Sequence, residues 1–221
     1  MSNDLAVRDY LKTQGLKLPA DEVLVAKMVA QAVMASGQAA MERNVLWYAN
    51  EEAVLSEHID QNESNEAALR QIFMALDSIF ERSEAKSAAV YGLMQGKEPF
   101  LLRLAQQGTV MEQRMAVDDE NTWSYLAVRS AQTGWLNIAD DVAKWLEMAE
   151  LKGAHHNRSQ SQMSLPICLL NGRVLGVLHV EAESKHAFDE TEQALWVGLA
   201  LALAEPMQVV FGASDAAEEG A

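Results

Sequence analysis

With 221 residues, 49% of them hydrophobic, the chain has material for one substantial domain with an extension or for two small ones. Its 32 acidic and 17 basic residues give a formal charge of −15, which argues against a nucleic-acid partner, because binding a polyanion relies on clustered Lys and Arg, and disfavours an anionic membrane surface. The single cysteine, Cys168, excludes an internal disulfide and a cysteine-based metal cluster and fits a reducing compartment.

Residues 3–12 predict a short helix with Leu5, Val7 and Leu11 on its apolar side, stopped by Gly15 and Pro19. Asp21 and Glu22 open a longer helix, as acidic residues favour the N-terminal end of the helix dipole. Its apolar positions Leu24, Val25, Met28, Val29, Ala32 and Val33 recur at three- and four-residue steps, so one broad stripe needs a cover. Helix is expected to continue, bent near Gly37, through Met41, Leu46, Tyr48 and Leu55, which suggests a helical hairpin or a coiled-coil-like dimer arm. The acid-rich stretch 50–66 reads as a solvated linker.

A second unit begins with a helix over 64–83, with Ala68, Ile72, Ala75, Leu76 and Ile79 at helical spacing. Strand-like runs at 87–93 and 100–106 are separated by the turn-forming segment 95–99. A helix over 121–132, with Trp123 and Leu126 on one face, ends at Gly134 and leads into a short strand at 135–140. The polar segment 153–159 is expected to be a mobile loop. Two β-rich runs, 163–170 and 173–181, flank Asn171-Gly172, the dipeptide that most readily forms a tight hairpin turn with two positive φ angles. Alternation along the arms puts Met163, Leu165 and Ile167 on one face and Gln162, Ser164 and Cys168 on the other. In the second arm Leu178 and Val180 oppose Leu175, Val177, His179 and Glu181. A closing apolar helix spans 189–211. Its longest apolar run, 194–204, is interrupted by Gly198 and too short to cross a bilayer, and with no signal-peptide pattern the expected location is cytoplasmic. The tail, 212–221, is acidic and is expected to be disordered.

The set Leu165-Pro166-Ile167, Gly172 to Leu178, and Phe188 followed by Asp189-Glu190-Thr191-Glu192 resembles the GAF domain, a family of small-molecule sensing and dimerising modules. The resemblance covers roughly residues 64–208. It implies an α+β fold, an antiparallel sheet flanked by helices, here carrying an N-terminal helical extension: 1–63 the extension and dimerisation arm, 64–211 the GAF-like domain. A PAS domain is the main alternative, and a helix directly before the first strand with a long one after the last favours GAF.

By the same resemblance, the polar side of the hairpin forms the floor of a ligand pocket, which makes His179, Glu181, Gln162 and Ser164 the candidate ligand-binding residues. Trp123, Tyr125 and Trp145 belong to the roof, and Arg158 lies at the mouth. His179 and Glu181 are neighbours on one strand face, a titratable donor beside a carboxylate. The GAF-fold enzymes that reduce free methionine-(R)-sulfoxide carry carboxylates at the places of His179, Glu181 and Gln162 and a thiol near that of His155. Here those positions hold His, Glu, Gln and no Cys, and without a thiolate that chemistry has no nucleophile.

Against the cyclic-nucleotide relatives, Ser184-Lys185, Phe188 and Glu192-Gln193 match only in part. Bilin attachment lacks a roof cysteine, and His155 and His156 lack metal-ligand partners at a recognisable spacing. No catalytic residue, metal or cofactor is assigned. The expectation is a non-catalytic sensor or adaptor that binds a small polar ligand, forms a homodimer through its N-terminal helices and signals to a partner protein. The alternatives are a scaffold whose pocket is filled by its own side chains and, with least support, a small-molecule enzyme.

Overall fold

The computed structural model describes residues 3–37 and 41–212. Among these residues one antiparallel sheet runs in the order β3-β2-β1-β6-β5-β4, with β1 Ser87–Met94, β2 Phe100–Gly108, β3 Arg114–Ala116, β4 Asn137–Ala139, β5 Ser161–Cys168 and β6 Val174–Ala182. β1 and β6 are central and buried on both faces, which suits their near-continuous apolar sequences.

The hairpin is present, with Gln162 opposite Glu181 and Ser164 opposite His179. Its turn is longer than expected. Leu169 N–H donates to Arg173 O (2.9 Å), Gly172 N–H donates to Leu169 O (3.0 Å), and of the loop residues only Gly172 has a positive φ, +86°. A turn closed by a left-handed glycine matches the twist of the arms as a two-residue turn would. The register shifts between Ile167 and Cys168, and Cys168 lines a groove with Tyr10, Gln14 and Leu169 instead of joining the floor with Gln162 and Ser164.

One sheet face is covered by α4 (Glu63–Phe80) and α8 (Glu190–Phe211), which bury Ala88, Val90, Met163, Leu165, Leu178 and Val180 in the main core. Asn62 and Asp189 cap these helices by accepting Asn65 N–H (2.8 Å) and Glu192 N–H (2.9 Å). α8 is longer than the run 194–204. With a windowed mean hydropathy of 1.7 it has the length and composition of a membrane span, but it lies between the sheet and another helix as a core helix.

That other helix is α2 (Ala20–Ser36), which packs on both α4 and α8. α1 (Asn3–Thr13) packs on α2 and reaches the sheet. Tyr10 O–H donates to Pro166 O (3.1 Å), and Gln14 donates to Gly134 O (2.8 Å) and accepts from Leu136 N–H (2.6 Å). The N-terminal segment therefore belongs to the main core through Val7, Leu11, Val23, Ala30 and Met34. The outer side of the last helix is covered by α2. The inward face of α2 differs from the predicted stripe. Val23, Ala26, Ala30 and Met34 are buried, while Val25 and Met28 are 61% and 55% exposed. The helix is apolar on both sides, so periodicity did not determine which side turns inward.

The expected continuation of helix to residue 55 is also corrected. α2 stops at Gly37, and from residue 43 the chain forms the single turn α3 (Arg43–Leu46), a bridge between Ala49 and Val54, and a 3-10 turn at Leu55–Glu57. Asn50 Oδ1 shapes this stretch by accepting from Glu52 and Ala53 N–H (3.0 and 3.1 Å). Nor is 50–66 a solvated linker, since Ala53, Leu55 and Ile59 are buried while the acids point outward. The predicted disordered tail, apart from Gly212, lies outside the described residues.

The other sheet face is roofed by α5 (Asn121–Ser124), α6 (Leu126–Thr133), α7 (Val142–Glu147) and a 3-10 turn at Ala154–Arg158. The single helix expected over 121–132 is two, broken at Tyr125, whose extended backbone (φ −140°, ψ 119°) re-aims the chain. Beneath the roof Tyr91, Met111, Met115, Val128 and Val177 form a smaller core.

Candidate functional site

Strand alternation and register place Glu181 and His179 of β6, Gln162 and Ser164 of β5, and Ser87 and Tyr91 of β1 on the roofed face. Ser164 Oγ lies 2.6 Å from His179 Nδ1, and His179 Nε2 lies 3.4 Å from Glu181 Oε1. A carboxylate only accepts, so in the neutral ring Nε2 carries the proton and the Ser164 hydroxyl donates to Nδ1. Ser87 O–H adds a long donation to Glu181 Oε2 (3.4 Å).

Arg158 closes the site. Its Nε donates to Glu181 Oε2 and Oε1 (2.8 and 3.0 Å), Nη2 donates to Glu181 Oε1 (2.8 Å) and Glu112 Oε2 (2.7 Å), and Nη1 donates to Glu112 Oε1 (2.9 Å). One planar fork thus grips two carboxylates, a geometry an ammonium would not reproduce. Burial pushes the Glu181 carboxyl upward, but hydrogen bonds from His179 and Arg158 and their charge outweigh it and hold the group at about 2. For Glu112 burial likewise opposes the charge, and Arg158 again prevails, lowering it. Burial works against the Arg158 guanidinium, whose pKa is nevertheless raised by the same two partners.

The segment 153–159, expected to be a mobile loop, is packed. His155 and His156 both point Nε2 at Ser124 O (2.8 and 3.0 Å), pinning the turn to α5. His155 also stacks on Tyr125 with centroids 4.6 Å apart. A carbonyl can only accept, so His156 Nε2 carries the proton and Nδ1 accepts from Gln162 Nε2 (3.0 Å). Burial, then the neighbouring His155 and His179, lower the His156 pKa to about 4, which keeps it neutral. Gln162 Nε2 also reaches Ser159 Oγ (2.9 Å) and stands 3.5 Å from Glu181, while Gln162 Oε1 is buried without a partner.

Between Tyr91, Glu112, Tyr125, His155, Arg158 and Glu181 only about 10 Å³ of cavity remains, room for one water at most. Of the candidate residues, His179, Glu181, Gln162 and Ser164 are brought together, Tyr125 lines the cavity and Arg158 seals it. Trp123 and Trp145 do not line it: they flank the Arg129 guanidinium (5.2 and 5.6 Å to their rings), and Trp123 is 44% exposed. Sequence reasoning missed Glu112, which sits in the loop after β2 with no pattern marking it, and placed His156, which is buried, in a mobile loop. Among the described residues no group of three or more His, Cys, Asp or Glu side chains is arranged to hold a metal ion.

These shifts give an acid-labile fold. Between pH 6.5 and 4 the unfolded chain binds a proton at His156 that the folded chain does not, so stability falls as pH drops through that window, by up to about 3 kcal/mol. Glu181 adds a loss of similar size between its unfolded value of 4.5 and about 2. Urea midpoints are expected to decline from pH 7 to 4, with His156→Gln flattening the upper part of the decline. A wild-type profile level from pH 6.5 to 4.5 would contradict this.

Residues 64–205 match the GAF domain family. No curated protein matches the chain. Among solved structures, a type II free methionine-R-sulfoxide reductase from Thermoplasma acidophilum is 17% identical, with a TM-score of 0.57 over 67% of this chain and 97% of that one. A protein assigned as a GAF sensor from Burkholderia vietnamiensis is 16% identical, with a TM-score of 0.56 over 84% and 93%. The GAF domain of a phosphoenolpyruvate-protein phosphotransferase from Acinetobacter is 15% identical, with a TM-score of 0.51 over 69% and 95%. At these identities the likeness is one of fold. With more than half of its length matched by that family, and with the same sheet and flanking helices, the chain belongs to the GAF domain family.

Proposed function

We propose that this chain is a non-catalytic, cytoplasmic GAF-type sensor or adaptor whose ligand site is held shut by Arg158, and that a small polar ligand acts by releasing that residue. The observation that carries this reading is the double grip of Arg158 on Glu112 and Glu181 above a buried polar cluster with one unpartnered acceptor. Burying so many polar groups is costly where an apolar filling would serve, and such clusters in clefts mark ligand sites. Reduction of a sulfoxide by cysteine chemistry needs a thiolate. The one cysteine here has its thiol raised to about 11 by burial and lies in the groove beside α1, which supports the non-catalytic reading.

The outward stripe of α2 with Val25 and Met28, beside a groove of about 450 Å³ shared with Ala194 and Leu195, is the surface through which the homodimer forms and a partner protein is addressed. Light scattering of Met28→Glu is expected to report a smaller assembly than the wild type, and an unchanged one would sink this role.

A second reading is a pure interaction module with a self-filled site, favoured by the residual volume of only about 10 Å³. Thermal-shift screening against nucleotides, amino acids and their oxidised forms separates the two. A ligand at a hundred times its Kd adds about 2.7 kcal/mol to the native state, a rise of roughly 5–10 °C at this size. A hit supports the sensor, and no shift with any compound, in wild type or Arg158→Gln, leaves the interaction module.

A further inference from the structure

Building on the reading that Arg158 shuts a ligand site, we infer that the ligand is a small cation bearing a guanidinium group, for which the Arg158 side chain is the built-in stand-in. The groups that face Arg158 are those a free guanidinium would need. Glu181, with a side chain only 1% exposed, and Glu112 present two carboxylates at 2.7–3.0 Å to one planar fork. One more acceptor, outside the cavity lining, stays unpartnered. Gln162 is fully buried, its amide lies against Glu181 and His156, and its Oε1 has no donor. The Tyr125 ring, stacked on His155, adds an aromatic wall of the kind that attracts cations.

Charge decides between a cation and an anion. Glu112, Glu181 and Arg158 together carry −2 + 1 = −1, so an incoming anion would meet two poorly solvated carboxylates of like charge. A cation that replaces Arg158 leaves the balance unchanged, and the chain's formal charge of −15 draws cations toward it. Arg158 is placed to leave. It ends a short 3-10 turn entered through Gly153 at φ 112°, and its side chain is 22% exposed at the mouth.

The test is calorimetric titration of the full chain with agmatine, a small guanidine and amine, and with succinate as the anionic probe. Agmatine is expected to bind the wild type, and Arg158→Ala about tenfold more tightly or better, since the internal competitor is gone. Adding Glu181→Gln to that variant should weaken binding at least about tenfold. Arg158→Gln, whose neutral amide can still donate to Glu181, is the second variant should Arg158→Ala not fold, and it too should bind agmatine more tightly than the wild type. Agmatine binding that survives Glu181→Gln, or no agmatine binding to wild type and variants, overturns the inference. Succinate binding without agmatine binding overturns the cation class and leaves the sensor reading standing, which only the broader ligand screen can sink.

Discussion

Replacing Arg158 by leucine is expected to destabilise the folded chain by about 3–5 kcal/mol at pH 7, because removing one partner of a buried pair strands the other charge. The stranded group is Glu181, almost entirely buried, whose remaining donors are long ones at 3.4–3.5 Å from Ser87, His179 and Gln162. Glu112 contributes less, since it is 22% exposed and can hydrate. Without the guanidinium the Glu181 carboxyl is no longer held at about 2, so it takes up a proton as pH falls and the penalty shrinks. Urea unfolding at pH 7 and pH 4.5 should therefore show a large deficit at the first and a smaller one at the second. A deficit below about 1 kcal/mol at pH 7 would mean that the pair is a surface contact.

Gly198→Ala is expected to cost about 2 kcal/mol or more and to lower the melting temperature by roughly 5 °C or more. Two effects compete. Alanine in a helix interior gains up to about 1 kcal/mol over glycine. A Cβ at 198, however, would stand 2.5 Å from Ala26 Cβ, 2.7 Å from Lys27 N and 2.9 Å from Val23 O. Two of those neighbours are backbone atoms, which no rotamer change can move, so α2 must back away from α8 and loosen Val23, Ala30 and Met34. Overpacking wins, and a valine there should cost more. A neutral or stabilising alanine would show that α2 does not lie on α8.

The sheet was legible because its β5–β6 hairpin carries polar groups at alternate positions of both arms and a glycine turn, and because Asp189 marks a clear start for α8. The floor of the site followed from that alternation, which is why Gln162, Ser164, His179 and Glu181 were found together. Arg158 was placed at the mouth by resemblance, but its grip on two carboxylates was not legible. A lone arginine in a polar segment carries the same local pattern whether solvated or buried, and its partners lie 46 and 23 residues away. The path of residues 42–61 was missed for a related reason. Tertiary burial of Ala53, Leu55 and Ile59 overrides a composition that reads as solvated. α2 failed differently, since both of its faces are apolar and only packing against Gly198 selects the smaller side.

The grip of one guanidinium on two carboxylates is the claim on which the site rests, and nitrogen-detected NMR of the Arg158 side chain reads it directly. Such a grip predicts an Nε–H signal and separate Nη–H signals that exchange slowly with water at pH 7 and collapse in Glu181→Gln. A single averaged, fast-exchanging Nη signal in the wild type would contradict it.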